Sequence, residues 1–275
     1  MASARIAAVF MDWAGTAVDH GSLAPVRALE NIFSEFGIRA PQTLIRKYMG
    51  LAKKDHIRKM LEEPEIQEQW IDLHDARGGG ASPQESDVVA MYAKFEPQMM
   101  EVLAGYATVI TGVVDAVETM RSRGMKIAGT TGYTRPMLDR LEMLAAQQGY
   151  RTDRSLAPED AGGGRPFPWM CYQLAMDLHI YPLSSCVKIG DTESDIAEGL
   201  NAGMWTVGVT RSGNTVGMSE DEWGKVDAAE QHKLLGRAEQ ELRAAGAHYT
   251  AETVAYTLPI LDEIAERIAS GELPG

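Results

Sequence analysis

The 275-residue sequence has little cysteine: Cys171 and Cys186 cannot build a disulfide framework and have no metal-ligand spacing. Cationic charge is also short, with 26 Lys and Arg against 39 Asp and Glu, a formal net charge of −13. That balance argues against nonspecific binding to nucleic acid or to anionic membranes, which reward clustered cations. It still allows a phosphate-bearing small molecule, because local fields and helix termini decide such binding. No apolar run approaches the roughly 20 residues that span a bilayer. The first residues, MASARIAAVF, lack the length and charge layout of a signal peptide, so a soluble cytoplasmic protein is expected. What is present is a 45% apolar composition, enough for a well-buried core.

Short apolar runs recur at IAAVFM (6–11), MKIAGTT (125–131), CVKIG (186–190) and MWTVGV (204–209), as in strands buried on both faces of a parallel sheet. Helical patterns separate the later ones: residues 113–124, 134–149, 168–179 and 194–203, with Gly124, Gly149 and Gly203 at C-cap positions. This alternation predicts an α/β fold with a doubly wound, mainly parallel, Rossmann-like sheet. The stretch from about residue 20 to 104 shows no strand pattern. It reads instead as helices in 24–37, 41–50, 51–63 and 88–103, with a loop GGGASPQESD at 78–87. The predicted organisation is a catalytic core of residues 1–20 and 105–275 with an all-helical cap, 21–104, inserted after the first strand. Hinges are expected near 19–21 and 104–107, and TAETVAYTLPILDEIAERIA reads as a closing helix.

Ligands of doubly wound sheets bind at the carboxyl ends of the strands. Four polar groups fall there: Asp12, then Thr131-Gly132-Tyr133, then Arg165 in GGGRPFPWM, then Asp191 and Asp195 in GDTESD. Singly, each is an ordinary turn, cap or loop residue. Together they supply a carboxylate nucleophile, a hydroxyl, a cation for phosphoryl oxygens and carboxylates for a hard cation. One member of the usual kit is missing. Many phosphoryl-transfer enzymes place a second carboxylate two residues after the first, to protonate a leaving oxygen, and here that position is Ala14.

The order Asp12, Thr131, Arg165, Asp191 resembles the haloacid dehalogenase superfamily over the whole chain. The resemblance implies that Asp12 attacks phosphorus. It also implies that Mg2+ is held by Asp12, the Ala14 carbonyl and Asp191, with Asp195 supporting. Arg165 would replace the usual lysine as phosphate clamp. In the cap segment MGLAKKDHIRKM, Lys53 shares a helical stripe with Ile57 and Met60, beside His56. Lysines next to apolar stripes commonly snorkel to water. A desolvated one instead has a lowered pKa and can act as a neutral amine nucleophile. Such an amine could form an iminium with an aldehyde beta to phosphorus, and the iminium would accept the bonding pair of a breaking carbon–phosphorus bond. No leaving oxygen would then need an acid at position 14.

DWAGT (12–16), MGLAKKDH (49–56), TTGYTR (130–135), GRPFPWMCY (164–172), KIGDTESD (188–195) and NAGMWTVGV (201–209) closely resemble the phosphonoacetaldehyde hydrolase (phosphonatase) family. That resemblance implies C–P hydrolysis of phosphonoacetaldehyde in 2-aminoethylphosphonate degradation. It gives Lys53 the Schiff base and Asp12 the phosphoryl group, with His56 and Met49 assisting at the amine. Gly50, Thr131, Gly132, Tyr133 and Arg165 would line the substrate site. It also implies a homodimer through the cap helices. Ser22 departs from the cysteine found in at least some members, and the GGGAS loop is longer than expected. Other readings on the same scaffold are a phosphate-ester phosphatase or mutase, against which Ala14 argues, and a dehalogenase, which needs neither a metal site nor Lys53. A non-catalytic phosphate-binding protein would not require all of Asp12, Lys53, Arg165 and Asp191.

Overall fold

The computed structural model describes residues 5–75 and 82–275. Strand β1 (Ala8–Met11) is followed by five helices: α1 (Leu23–Glu35), α2 (Gln42–Lys47), α3 (Lys53–Leu61), α4 (Pro64–Asp75) and α5 (Glu85–Tyr106). Then come α6 (Val113–Ser122), β2 (Lys126–Thr130), α7 (Arg135–Gln147), β3 (Arg154–Leu156), α8 (Trp169–Asp177), β4 (Cys186–Gly190) and α9 (Glu193–Asn201). The chain closes with β5 (Trp205–Val209), α10 (Glu220–Trp223), α11 (Ala228–Ala244), β6 (Tyr249–Ala251) and α12 (Leu258–Ala269). Among the described residues no helix is long and apolar enough to cross a membrane.

All six strands are parallel, in the order β3-β2-β1-β4-β5-β6. Every residue of β1, β4 and β5 is buried, because helices cover both faces of the sheet. Alternation splits β1 between two cores: Val9 and Met11 join the larger cluster, while Ala8 and Phe10 pack with Met170, Cys171 and Leu174 of α8. The chain order reverses between β1 and β4, and a crevice opens outside their carboxyl ends. Register fixes what reaches that rim. Met11 lies opposite Gly129 on one side and Ile189 on the other, so Asp12 emerges level with Thr130 and Gly190.

Two edge strands, β3 and β6, were not predicted. Each has three residues, RSL and YTA, too few and too mixed to show a period. The expected closing helix is accordingly divided into β6, a 3₁₀ turn at Val254–Tyr256, and α12. Helices α4 and α11 were missed as well. In α11 only Ala238 and Leu242 are buried, which leaves almost no apolar stripe to read. Of the loop expected at 78–87, residues 78–81 lie outside the described residues. Glu85–Asp87 form the first turn of α5, where the Gln84 N–H donates to the Asp87 carboxylate at 2.7 Å.

No strand occurs between β1 and β2 among the described residues. There α5 packs along α1 and α3, with Phe95 and Met99 fully buried. Replacing Phe95 by Ala should lower the unfolding free energy by about 3–5 kcal/mol, the usual cost of an uncollapsed aromatic cavity. Urea titration of the two proteins checks this. A loss below about 1 kcal/mol would mean that α5 is not the spine of this helical layer.

Candidate active site

Asp12 leaves β1 with its N–H bound to the Ile189 carbonyl at 2.9 Å, so the sheet itself aims it. Its carboxylate is buried and accepts from Arg165 Nη2 at 2.7 Å. Burial raises its pKa, and Arg165 opposes that rise. Gly15 turns the chain at φ +85°, and a Cβ there would lie 2.3 Å from Asp191 Oδ2. Only glycine satisfies both conditions at once. Thr16 Oγ1 donates to Asp191 Oδ1 at 3.3 Å, and the Asn214 N–H donates to Asp191 Oδ2 at 2.8 Å. Burial first, then the charges of Asp12 and Asp195, push the Asp191 carboxyl well above its usual range.

Arg165 is clamped on every side. Its Nη2 also donates to the Thr130 carbonyl and hydroxyl at 2.7 and 2.8 Å, Nε pairs with Glu198 at 3.0 Å, and Nη1 pairs with Asp195 at 2.9 Å. Lys188, inside β4, completes the network with Asp195 at 2.9 Å and Glu198 at 2.8 Å. Burial and Arg165 work against its charge, yet Glu198 and Asp195 outweigh them and raise its pKa. Asp195 is spoken for: one oxygen faces Arg165 and Lys188, the other accepts from Thr192 Oγ1 at 2.6 Å.

The pocket therefore buries four carboxyl groups: Asp12, Asp195 and Glu198 pair with the cations Arg165 and Lys188, while Asp191, among the described residues, pairs with neither. Asp12, Asp191 and Asp195 each bring an oxygen within 4.8 Å of the others, an arrangement that can hold a metal ion. Hard oxygen donors and uncompensated negative charge fit a divalent cation. Asp12 and Asp191 are the freer donors, since Asp195 is already paired. Ala14, almost fully buried, lies two residues after Asp12 and its side chain carries no group that could donate a proton.

The helical segment supplies the roof. Lys53 opens α3 and is only 4% exposed, so its amine does not snorkel. Its Nζ lies 3.8 Å from Met49 Sδ and 5.6 Å from the centre of the Tyr133 ring. Burial lowers its pKa to about 8; Arg165 pushes the same way, while Asp12 and Asp191 oppose. His56 is fully buried and packs edge-on against Tyr48 at 6.2 Å. Burial and the Lys53 charge hold it neutral. Burial also keeps the Tyr133 phenol protonated, and the Tyr133 N–H donates to Thr131 Oγ1 at 3.1 Å. Two glycines let roof and floor touch. A Cβ on Gly50 would lie 2.3 Å from the hydroxyls of Thr192 and Ser194, and one on Gly132 would lie 2.5 Å from the Leu51 carbonyl. Ser194 Oγ donates to the Met49 carbonyl at 3.2 Å.

The structure thus brings together the residues the sequence singled out. Asp12, Arg165, Asp191 and Asp195 form one ionic network; Lys53, Met49, Tyr133 and, one turn on, His56 form the layer above. Sequence reasoning missed Thr130, Lys188 and Glu198. A lysine inside the apolar run CVKIG was one signal, and a glutamate one turn after Asp195 was another.

A family model described as haloacid dehalogenase-like hydrolase matches residues 6–203. A phosphonoacetaldehyde hydrolase of Bacillus cereus is 42% identical over 269 residues, 98% of either chain. A phosphonoacetaldehyde hydrolase-like protein of Syntrophobacter fumaroxidans is 41% identical, covering 97% of this chain and 94% of that one. The crystal structure of a phosphonoacetaldehyde hydrolase-like protein from Oleispira antarctica superposes with a TM-score of 0.95 at 36% identity, over 99% of this chain and 97% of that one. The chain belongs to the haloacid dehalogenase-like hydrolases and, within them, to the phosphonoacetaldehyde hydrolase family.

The buried Lys53 makes stability depend on pH. Its folded pKa of about 8 lies below the ordinary 10.5. Between those values the unfolded chain holds the proton and the folded one does not, so stability rises as pH climbs through that window. Below it the buried ammonium costs at most about 3 kcal/mol. Lys53→Met should therefore be more stable than the parent at pH 7, with the gap closing toward pH 10. Urea unfolding across that range checks this, and a gap independent of pH would show that Lys53 is not desolvated.

Proposed function

We propose that this protein hydrolyses phosphonoacetaldehyde to acetaldehyde and phosphate, through an imine on Lys53 and a phosphoryl ester on Asp12. One observation carries the reading. A buried amine with a pKa of about 8 faces the Asp12 and Arg165 pair, at a site where Ala14 offers no general acid. The sequence relatives named as phosphonoacetaldehyde hydrolases support the same assignment.

The neutral Lys53 amine adds to the aldehyde carbon, loss of water gives the imine, and a proton taken up from solvent makes it the protonated imine. The Asp12 carboxylate then attacks phosphorus from the opposite side. As the Asp12–phosphorus bond forms, the carbon–phosphorus pair moves into the imine and yields an enamine. Protonation and hydrolysis of the enamine release acetaldehyde and free the amine. Water cleaves the acyl phosphate to phosphate and the Asp12 carboxylate. Arg165, fixed by Asp195, Glu198 and Thr130, presents its charge to the phosphoryl oxygens without having to reorganise. Met49 and neutral His56 keep the amine in a weakly solvated pocket, and Gly50, Gly132, Thr131 and Tyr133 line the substrate space. Mg2+ fits at Asp12, Asp191 and the Ala14 carbonyl with Asp195 behind, where it would neutralise charge on the transferring group.

In this reading residues 21–104 are a cap that closes on a core of 1–20 and 105–275, hinged near 19–21 and 104–107. Two free, buried cysteines suit a reducing cytoplasm, and the reaction suits the degradation of 2-aminoethylphosphonate. The homodimer implied by the family resemblance runs through the cap helices, where Val89 and Met100 of α5 are exposed while Met91, Phe95 and Met99 are buried within their own layer. A second exposed apolar surface lies at α8. Phe167, Trp169, Tyr172, Met176 and Tyr181 are exposed together, with the Phe167 and Trp169 rings stacked at 6.1 Å.

Incubation with phosphonoacetaldehyde, Mg2+ and borohydride should leave a reduced two-carbon adduct on Lys53 by peptide mass spectrometry, and a parallel sample without borohydride should release phosphate. Turnover with no adduct would sink the imine route. Separately, Met100→Glu should convert a dimer to a monomer in light scattering, and an unchanged mass, with Trp169→Glu monomeric instead, would move the interface to α8.

A further inference from the structure

Arg46 lies in the last turn of α2, four residues before Gly50. Its guanidinium leaves the helix and crosses to segments far away in sequence. Nη1 donates to the Gly21 carbonyl at 2.9 Å and to the Asn214 carbonyl and side-chain oxygen, both at 3.1 Å; Nη2 donates to the Gly217 carbonyl at 3.1 Å. Asn214 answers by donating its Nδ2 to the Arg46 carbonyl at 2.9 Å. The guanidinium lies flat on Gly217, where a Cβ would come within 2.6 Å of its Cζ. Among the described residues Arg46 has no carboxylate at ion-pair distance, so its partners are backbone and amide oxygens whose positions it reads by shape.

Asn214 joins this contact to the catalytic floor, because its N–H is the donor to Asp191 Oδ2. Around it lies a cleft of about 960 Å³ lined by Arg46, Met49, Leu51, Asp191, Ser194, Asn214 and other residues. The helical layer thus meets the floor here through polar bonds across an open cleft rather than through a sealed apolar seam. We infer that Arg46 is a positioning residue: it docks the segment bearing Met49, Gly50 and Lys53 onto the loop that orients Asp191. Its catalytic consequence rests on the function proposed above; the docking itself does not. Lysine cannot replace it, since a single ammonium cannot reach Gly21, Asn214 and Gly217 together.

The test uses the full chain with Arg46→Ala, Arg46→Lys and Gly217→Ala, the last displacing the guanidinium without deleting it. Amide hydrogen exchange of residues 46–57 is measured by mass spectrometry, beside steady-state turnover of phosphonoacetaldehyde. All three variants should exchange that segment roughly 10–100-fold faster and lose kcat/KM by a similar factor, mostly through KM, as expected for lost bonds to a charged group. Millimolar guanidinium chloride should slow exchange again and restore turnover in Arg46→Ala alone. Unchanged exchange in Arg46→Ala, or faster exchange that guanidinium does not reverse, overturns the inference. A parent that exchanges slowly but never turns over phosphonoacetaldehyde overturns the proposed function instead, while the exchange and rescue results still decide the docking.

Discussion

Uncompensated negative charge, buried at the point where the sheet reverses direction, is the constraint on which this structure depends. Asp12 and Asp191 stand on neighbouring strands and cannot avoid each other, because strand register fixes their separation. Placing carboxylates this close in a protein interior is unfavourable unless cations or protons answer them. Arg165 and Lys188 answer part of the charge, and that need explains why a lysine sits in the middle of a buried strand. What remains unanswered is what a divalent cation would use.

The absent acid at position 14 shifts a burden to the other side of the site. A reaction that expels an oxygen needs a proton there; a reaction that expels carbon needs somewhere for electrons to go. Among the described residues Lys53 is the one amine of the helical layer held within the field of Asp12 and Arg165, and burial lowers its pKa to about 8, so that a fraction of it is the neutral amine near physiological pH. In the proposed mechanism floor and roof are therefore complementary halves, supplied by stretches about forty residues apart in the chain.

How much of this was legible follows from where each signal resides. The four central strands announced themselves because helices on both faces demand unbroken apolar runs. The site residues announced themselves because strand ends are the only places a doubly wound sheet can display them. The edge strands β3 and β6 could not be seen, since three residues fix no period and their pairing comes from the neighbouring strand. Helix α11 escaped for a related reason: it lies on the surface, and only two of its residues reach the core. Lys188 and Glu198 left faint signals and Arg46 left none, because their meaning lies in partners distant in sequence, which only the folded chain brings near.

Gly50 carries a consequence of its own. Its missing side chain lets a backbone turn rest against the hydroxyls of Thr192 and Ser194 like a lid seated on a gasket. Even a methyl group at that position would meet those hydroxyls at 2.3 Å, well inside ordinary contact, and the two surfaces would have to part. An imine and an acyl phosphate are both destroyed by water that arrives at the wrong moment. The smallest residue in the segment thus sets how closely roof and floor can meet, and with it how much water the proposed chemistry would have to contend with.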